Sequence, residues 1–157
     1  ARIGLNHLHS TTTWVLSGIN AGGNLGADVY TSGTVAAVRE AAFHRIPGIA
    51  ISHFIYKRRA IDWQRATALA QQVLKQLLAL PLEPGCFWNV NLPHLEPDAP
   101  DPELVFCPLC TQPLPVTYRI EGEHLHYVGE YSSRKRDPGS DVEVCFSGNI
   151  AVTKIKL

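Results

Sequence analysis

No sign of charge predominates in this sequence: Lys plus Arg and Asp plus Glu number 14 each, so the formal net charge is zero. That balance gives no indication of a broad nucleic-acid surface, and no nucleic-acid polymer is expected as a partner. Long apolar runs are missing as well. None reaches the length that spans a bilayer and no signal peptide is visible, so no membrane is expected and a cytoplasmic location is the default. Cysteine is sparse, at four in 157 residues, which does not read as a disulfide framework. Methionine is absent, and the chain opens on Ala1. What is present is ordinary: a hydrophobic content of 45% and a mean hydropathy of -0.02 suit a globular chain with one good core.

The stretch Leu16-Ser17-Gly18-Ile19-Asn20-Ala21-Gly22-Gly23-Asn24-Leu25-Gly26 follows the apolar residues 14–16, and Ser32-Gly33-Thr34 then opens a segment with helical spacing. Strand, glycine loop and helix start in that order are how parallel α/β folds seat an anion. Glycine lets backbone N–H groups approach a phosphate closely, and a helix N-terminus adds free donors and a partial positive charge. A glycine-rich turn without a ligand is the alternative.

The whole run SGINAGGNLGADVYTSGTVAAVREAAFHRIPGIAIS, residues 17–52, resembles the signature of the SurE family, metal-dependent 5'/3'-nucleotidases acting on nucleoside monophosphates. Asn89-Val90-Asn91-Leu92-Pro93 and Asp137-Pro138-Gly139-Ser140-Asp141 resemble later landmarks of that family. The resemblance implies a Rossmann-like three-layer α/β fold with a parallel sheet and a small β-rich C-terminal appendage, part of which is exchanged between subunits of a homodimer or tetramer. It also implies a first strand, an Asp-Asp-Gly loop and a serine-bearing loop before the matched segment. None of these occurs in the chain, so a missing start is expected, because a parallel sheet deprived of its first strands exposes an apolar flank.

Along the chain, residues 34–44 repeat Val35, Val38, Ala42 and Phe43 at helical spacing, and Ile49-Ala50-Ile51 reads as a strand covered on both faces. Together with residues 14–16 they form one β-α-β unit with parallel strands. Lys57-Arg58-Arg59 reads as a solvated loop near a strand end. Asp62 is a good N-cap for a helix over 62–80, with an apolar stripe from Trp63 to Leu78. Residues 87–92 form the next strand. After a proline- and acid-rich loop the pattern alternates, giving hairpins around Gly122-Glu123 and, from strands over 141–146 and 150–156, around Ser147-Gly148-Asn149. The expected division is a core over 1–102 and an appendage over 103–157.

By resemblance, Asn20 is the catalytic metal ligand of this segment, and its amide oxygen is the hard donor that suits Mg²⁺ or Mn²⁺. One neutral amide cannot hold a dication, and the family's remaining ligands belong to the segment absent here. Asn24, Ser32, Gly33 and Thr34 are the expected phosphate contacts. A turn asparagine and an ordinary helix cap are the plain structural readings of Asn20 and Ser32. The implied reaction is hydrolysis of a nucleoside monophosphate; a non-catalytic phosphate- or nucleotide-binding module lacking the Asp-Asp loop is the alternative. Cys107 and Cys110 with His124 and His126 offer four zinc ligands. The reading is against zinc there, since structural zinc sites usually show a second knuckle. A redox role lacks a helix after Cys110 to lower a thiol pKa. Docking or subunit exchange by the appendage is a further alternative. Cys86 and Cys145 read as small buried residues, and His44 and His53 as surface residues.

Overall fold

Gly48–His53 carries no charged residue before His53 and is buried at every position, and so is Cys86–Leu92. Only a sheet covered on both faces hides such strands completely. The computed structural model describes residues 1–9 and 11–157 and shows that sheet. Its strands are β1 (Val15–Ala21), β2 (Gly48–His53), β3 (Cys86–Leu92), β4 (Leu104–Phe106) and, after a separate hairpin, β7 (Ile150–Lys156). Their order is β1-β2-β3-β7-β4. The β1–β2 and β2–β3 pairs are parallel, β7 runs antiparallel to β3, and β4 is parallel to β7. The sheet is therefore mixed and mostly parallel.

Alternate strand residues face opposite layers. Ile49, Ile51, Trp88, Val90, Leu92, Ile150 and Val152 meet helix α2 (Trp63–Leu77) through Ala66, Leu69, Ala70, Val73 and Leu77. On the other face, Ala50 and Phe87 meet helix α1 (Gly33–Phe43) through Val35, Val38 and Ala42. Helix α3 (Asp141–Phe146) shares that second face, packing Val142 and Cys145 with Leu25, Phe54 and Ala151. Three layers of Rossmann-like character result. Asp62 caps α2 as expected, its Oδ1 accepting the Arg65 N–H at 3.0 Å.

Several expectations are corrected. Residues 141–146 form α3 and not a strand. Over six residues the alternation of Val142 and Val144 also fits the i, i+3 pair Val142 and Cys145, and Asp141 and Glu143 favour a helix start. Gly18 lies inside β1 rather than in the loop. Its φ is +132°, and a Cβ there would sit 2.2 Å from Ile51 O, so β1 passes too close to β2 for any side chain, and the register shifts between Ser17 and Asn20. Phe43, Trp63 and Leu78 are 62%, 49% and 43% exposed, and α2 stops at Leu77. The sheet also crosses the expected boundary after residue 102, because β4 and β7 both belong to it. What stands apart is the hairpin of β5 (Tyr118–Glu121) and β6 (His124–Tyr127), formed around Gly122-Glu123 as expected and exposed throughout. Among the described residues, no helix is long and apolar enough to cross a membrane.

Candidate functional site

The carboxyl ends of β1, β2 and β3 lie side by side, the edge at which open α/β sheets bind ligands. The chain leaves β1 at Ala21, and the Gly22 N–H donates to His53 O at 3.0 Å, fixing the loop to the end of β2. Asn20 is half-buried at this edge. Its Nδ2 donates to Gly22 O at 2.8 Å, which orients the amide and leaves Oδ1 as the atom a hard cation would take.

Asn24 is buried and held from three directions. Its N–H donates to Asn91 Oδ1 at 2.8 Å. Its carbonyl accepts from Asn89 Nδ2 at 2.9 Å and from Asn91 Nδ2 at 3.0 Å. Its own Nδ2 donates to Ser52 Oγ at 2.5 Å. Asn89 and Asn91 share one face of β3, so a pair of amides at i, i+2 grips a single loop residue.

A second brace comes from far along the chain. Asp141, at the start of α3, accepts the Gly26 N–H at 2.7 Å and the Cys110 N–H at 2.8 Å. Burial pushes its carboxyl above the ordinary aspartate value, against the pull of those backbone donors. Arg134 is buried, and its Nη1 donates to Leu25 O at 3.3 Å and to Asp28 Oδ2 at 3.2 Å. The Tyr131 hydroxyl donates to the same Asp28 oxygen, and burial, reinforced by Asp28, drives its pKa upward. Asp137 accepts from Gln112 Nε2 at 2.6 Å and from the Thr111 N–H at 2.6 Å, donors that hold it at about 2.

Asp28 also connects the loop to the helix start. Its Oδ2 accepts the Leu25 N–H at 3.2 Å, and its carbonyl accepts the Ser32 N–H at 3.0 Å. Ser32 caps α1, with Oγ accepting from the Val35 N–H at 3.2 Å. Gly33 is exposed, and a Cβ on it would meet nothing within 4 Å. The first-turn N–H groups of Gly33 and Thr34 have no acceptor within the helix. Asn20, Asn24, Ser32, Gly33 and Thr34 therefore belong to one continuous segment braced by α3, β3 and Arg134.

The other signals disperse. Cys107 Sγ lies 3.9 Å from Val152 O, whereas Cys110 Sγ lies 3.9 Å from Lys135 O, and His124 and His126 stand on the exposed hairpin. Among the described residues, no group of three or more His, Cys, Asp or Glu side chains could hold a metal ion. His53, read as a surface residue, is buried at the end of β2, with Nδ1 2.7 Å from Phe54 O, and burial lowers its pKa. Lys57 and Arg58 are exposed, and Arg59 forms a two-pronged pair with Glu96. Sequence reasoning did not assign Asn89, Asn91, Arg134, Asp28 or Tyr131 a place in the site. The two asparagines carried a signal: amides at i, i+2 in an apolar strand must find partners once buried.

Known proteins resemble this chain in sequence and in fold. The family model described as "Survival protein SurE" matches residues 1–113. A Nostoc sp. protein provisionally named as a 5'-nucleotidase is 58% identical over 99% of this chain and 69% of its own length. A Synechocystis sp. protein of the same name is 53% identical with the same coverage. The 5'-nucleotidase SurE of Allorhizobium ampelinum is 33% identical over 91% of this chain and 58% of its own. The crystal structure of a SurE protein from Aquifex aeolicus superposes with a TM-score of 0.81 at 25% identity, covering 99% of this chain and 64% of that one. The chain thus spans between 58% and 69% of the length of these relatives.

Proposed function

The chain belongs to the SurE family, and from that premise we propose that the protein is a metal-dependent phosphatase acting on nucleoside 5'- and 3'-monophosphates. The observation that carries this reading is the braced segment from Asn20 to Thr34. Its Asn20 amide, its glycine loop and its exposed helix start support this reading. In this reading the phosphate lies against the loop and the N–H groups of Gly33 and Thr34, with the Asn24 and Thr34 side chains beside it. Those donors stabilise the charge that grows on the phosphoryl oxygens as the ester bond breaks. Ser32 both caps α1 and faces the same anion.

The Asn20 amide is held through Nδ2, and its Oδ1 suits one position of Mg²⁺ or Mn²⁺. The described residues supply no carboxylate cluster to complete the set, and the family resemblance assigns that part to a segment outside these residues. When bound, such an ion polarises the phosphoryl group and acidifies a water. The exposed apolar residues of the hairpin, Tyr118, Ile120, Leu125 and Tyr127, support a homodimer or tetramer in which this segment contacts a neighbouring subunit.

The test is phosphate release from AMP by the full-length protein. Release in Mn²⁺ or Mg²⁺ is expected to stop with a chelator and return on adding the metal. Asn20→Ala is expected to weaken metal affinity at least about tenfold. Tight AMP binding without release at any metal concentration sinks the enzymatic reading and favours the nucleotide-binding module.

A further inference from the structure

A cleft of about 530 Å³ opens beyond the end of β2. Its floor is a stack of flat groups. Phe54, which follows β2, and Phe146, which closes α3, stack with centroids 4.4 Å apart at 22°. The Arg136 guanidinium carbon lies 5.0 Å over the Phe146 ring. Arg136 is exposed and enters no ion pair among the described residues. Lys57, also unpaired among them, lies 5.0 Å over Tyr56 at the cleft wall. Glu96, by contrast, is neutralised by Arg59.

An exposed guanidinium lying over an aromatic ring can take a further planar π system against it. Its position ties it to the loop. Phe54 packs in the same buried cluster as Leu25, and a Cβ on Gly23 would lie 3.7 Å from Phe54 Cα. Phe54 thus touches the loop on one side and lines the cleft on the other, where Ser132 and Ser133 also line the wall.

We propose that the Phe54–Phe146–Arg136 stack seats the base of a nucleoside monophosphate, with Arg136 as its contact surface. The proposal rests on the phosphatase reading above and adds the part of the substrate that sets selectivity. Stacking is tolerant of base identity, so the seat separates nucleotides from other phosphate esters more than one base from another.

The test compares AMP with ribose 5-phosphate, which lacks the base, on the full-length protein. Arg136→Ala is expected to raise KM for AMP about tenfold and to leave ribose 5-phosphate unchanged, which also shows that the variant is folded. Arg136→Lys is expected to fail as a replacement, because an ammonium keeps the charge and loses the plane. Equal loss on both substrates, or full rescue by lysine, overturns the proposal, since either marks a simple charge contact with phosphate. If the unaltered protein releases phosphate from neither substrate, the phosphatase reading fails, and calorimetry with adenosine decides the seat separately. Adenosine binding that disappears in Arg136→Ala upholds it; absent or unaltered binding overturns it.

Discussion

At the scale of single residues, the site depends on groups that touch no ligand. Asn24 is buried, and both its N–H and its carbonyl are satisfied by Asn91. Asn91→Leu keeps nearly the same volume and leaves a buried donor without its acceptor. A cost of about 2 kcal/mol is expected in denaturant unfolding, together with a higher KM for nucleotide. A loss below about 0.5 kcal/mol, within the range of a neutral surface change, would show that Asn89 alone suffices. The Asn-Val-Asn pattern was visible in the sequence, but its target was not, because strand periodicity gives a face and not a partner. The Arg134 brace was less legible still. Arg134 and Asp28 are 106 positions apart and Tyr131 and Asp28 are 103, and nothing local in the sequence links them.

At the scale of elements, two caps of the same chemistry have different consequences. Ser32 and Asp62 each accept one first-turn N–H, at 3.2 Å and 3.0 Å. Ser32→Ala and Asp62→Ala are each expected to cost about 1 kcal/mol of stability. Only Ser32→Ala is expected to raise KM as well, because α1 begins at the glycine loop while α2 packs on the opposite face. Equal kinetics in the two variants would remove Ser32 from the phosphate seat. Both helices were readable from capping residues and 3.6-residue spacing. Helix α3 was not: six residues are too few to separate a period of two from one of 3.6. Gly18 was misplaced for a related reason, since glycine signals a loop until a neighbouring strand is known to press against it.

At the scale of the whole molecule, β7 lies between β3 and β4 and pairs with β3 from Cys86 to Asn91. A chain cut after residue 102 loses this partner and uncovers the edge of a strand buried along its whole length. It is expected to show no cooperative unfolding transition by circular dichroism. A chain in which residues 118–127 are replaced by a short glycine-serine link is expected to keep its transition, because that hairpin forms a sheet of its own. A cooperative transition in the first chain, or none in the second, would contradict this division. The α/β class and the parallel β1–β2 pair were legible because adjacent elements build them, whereas the return of β7 into the sheet is a long-range choice that local patterns do not encode. That return also orders events in time. The bond from Gly26 to Asp141 spans 115 positions, so the loop gains this support only after helix α3, just before β7, has found its place. Contacts of such separation form slowly, since the entropy of closing the chain must be met before they stabilise anything. A nascent chain emerging from the ribosome would therefore carry the glycine loop long before it carried a binding site, and competence for ligand should appear as one of the final steps of folding.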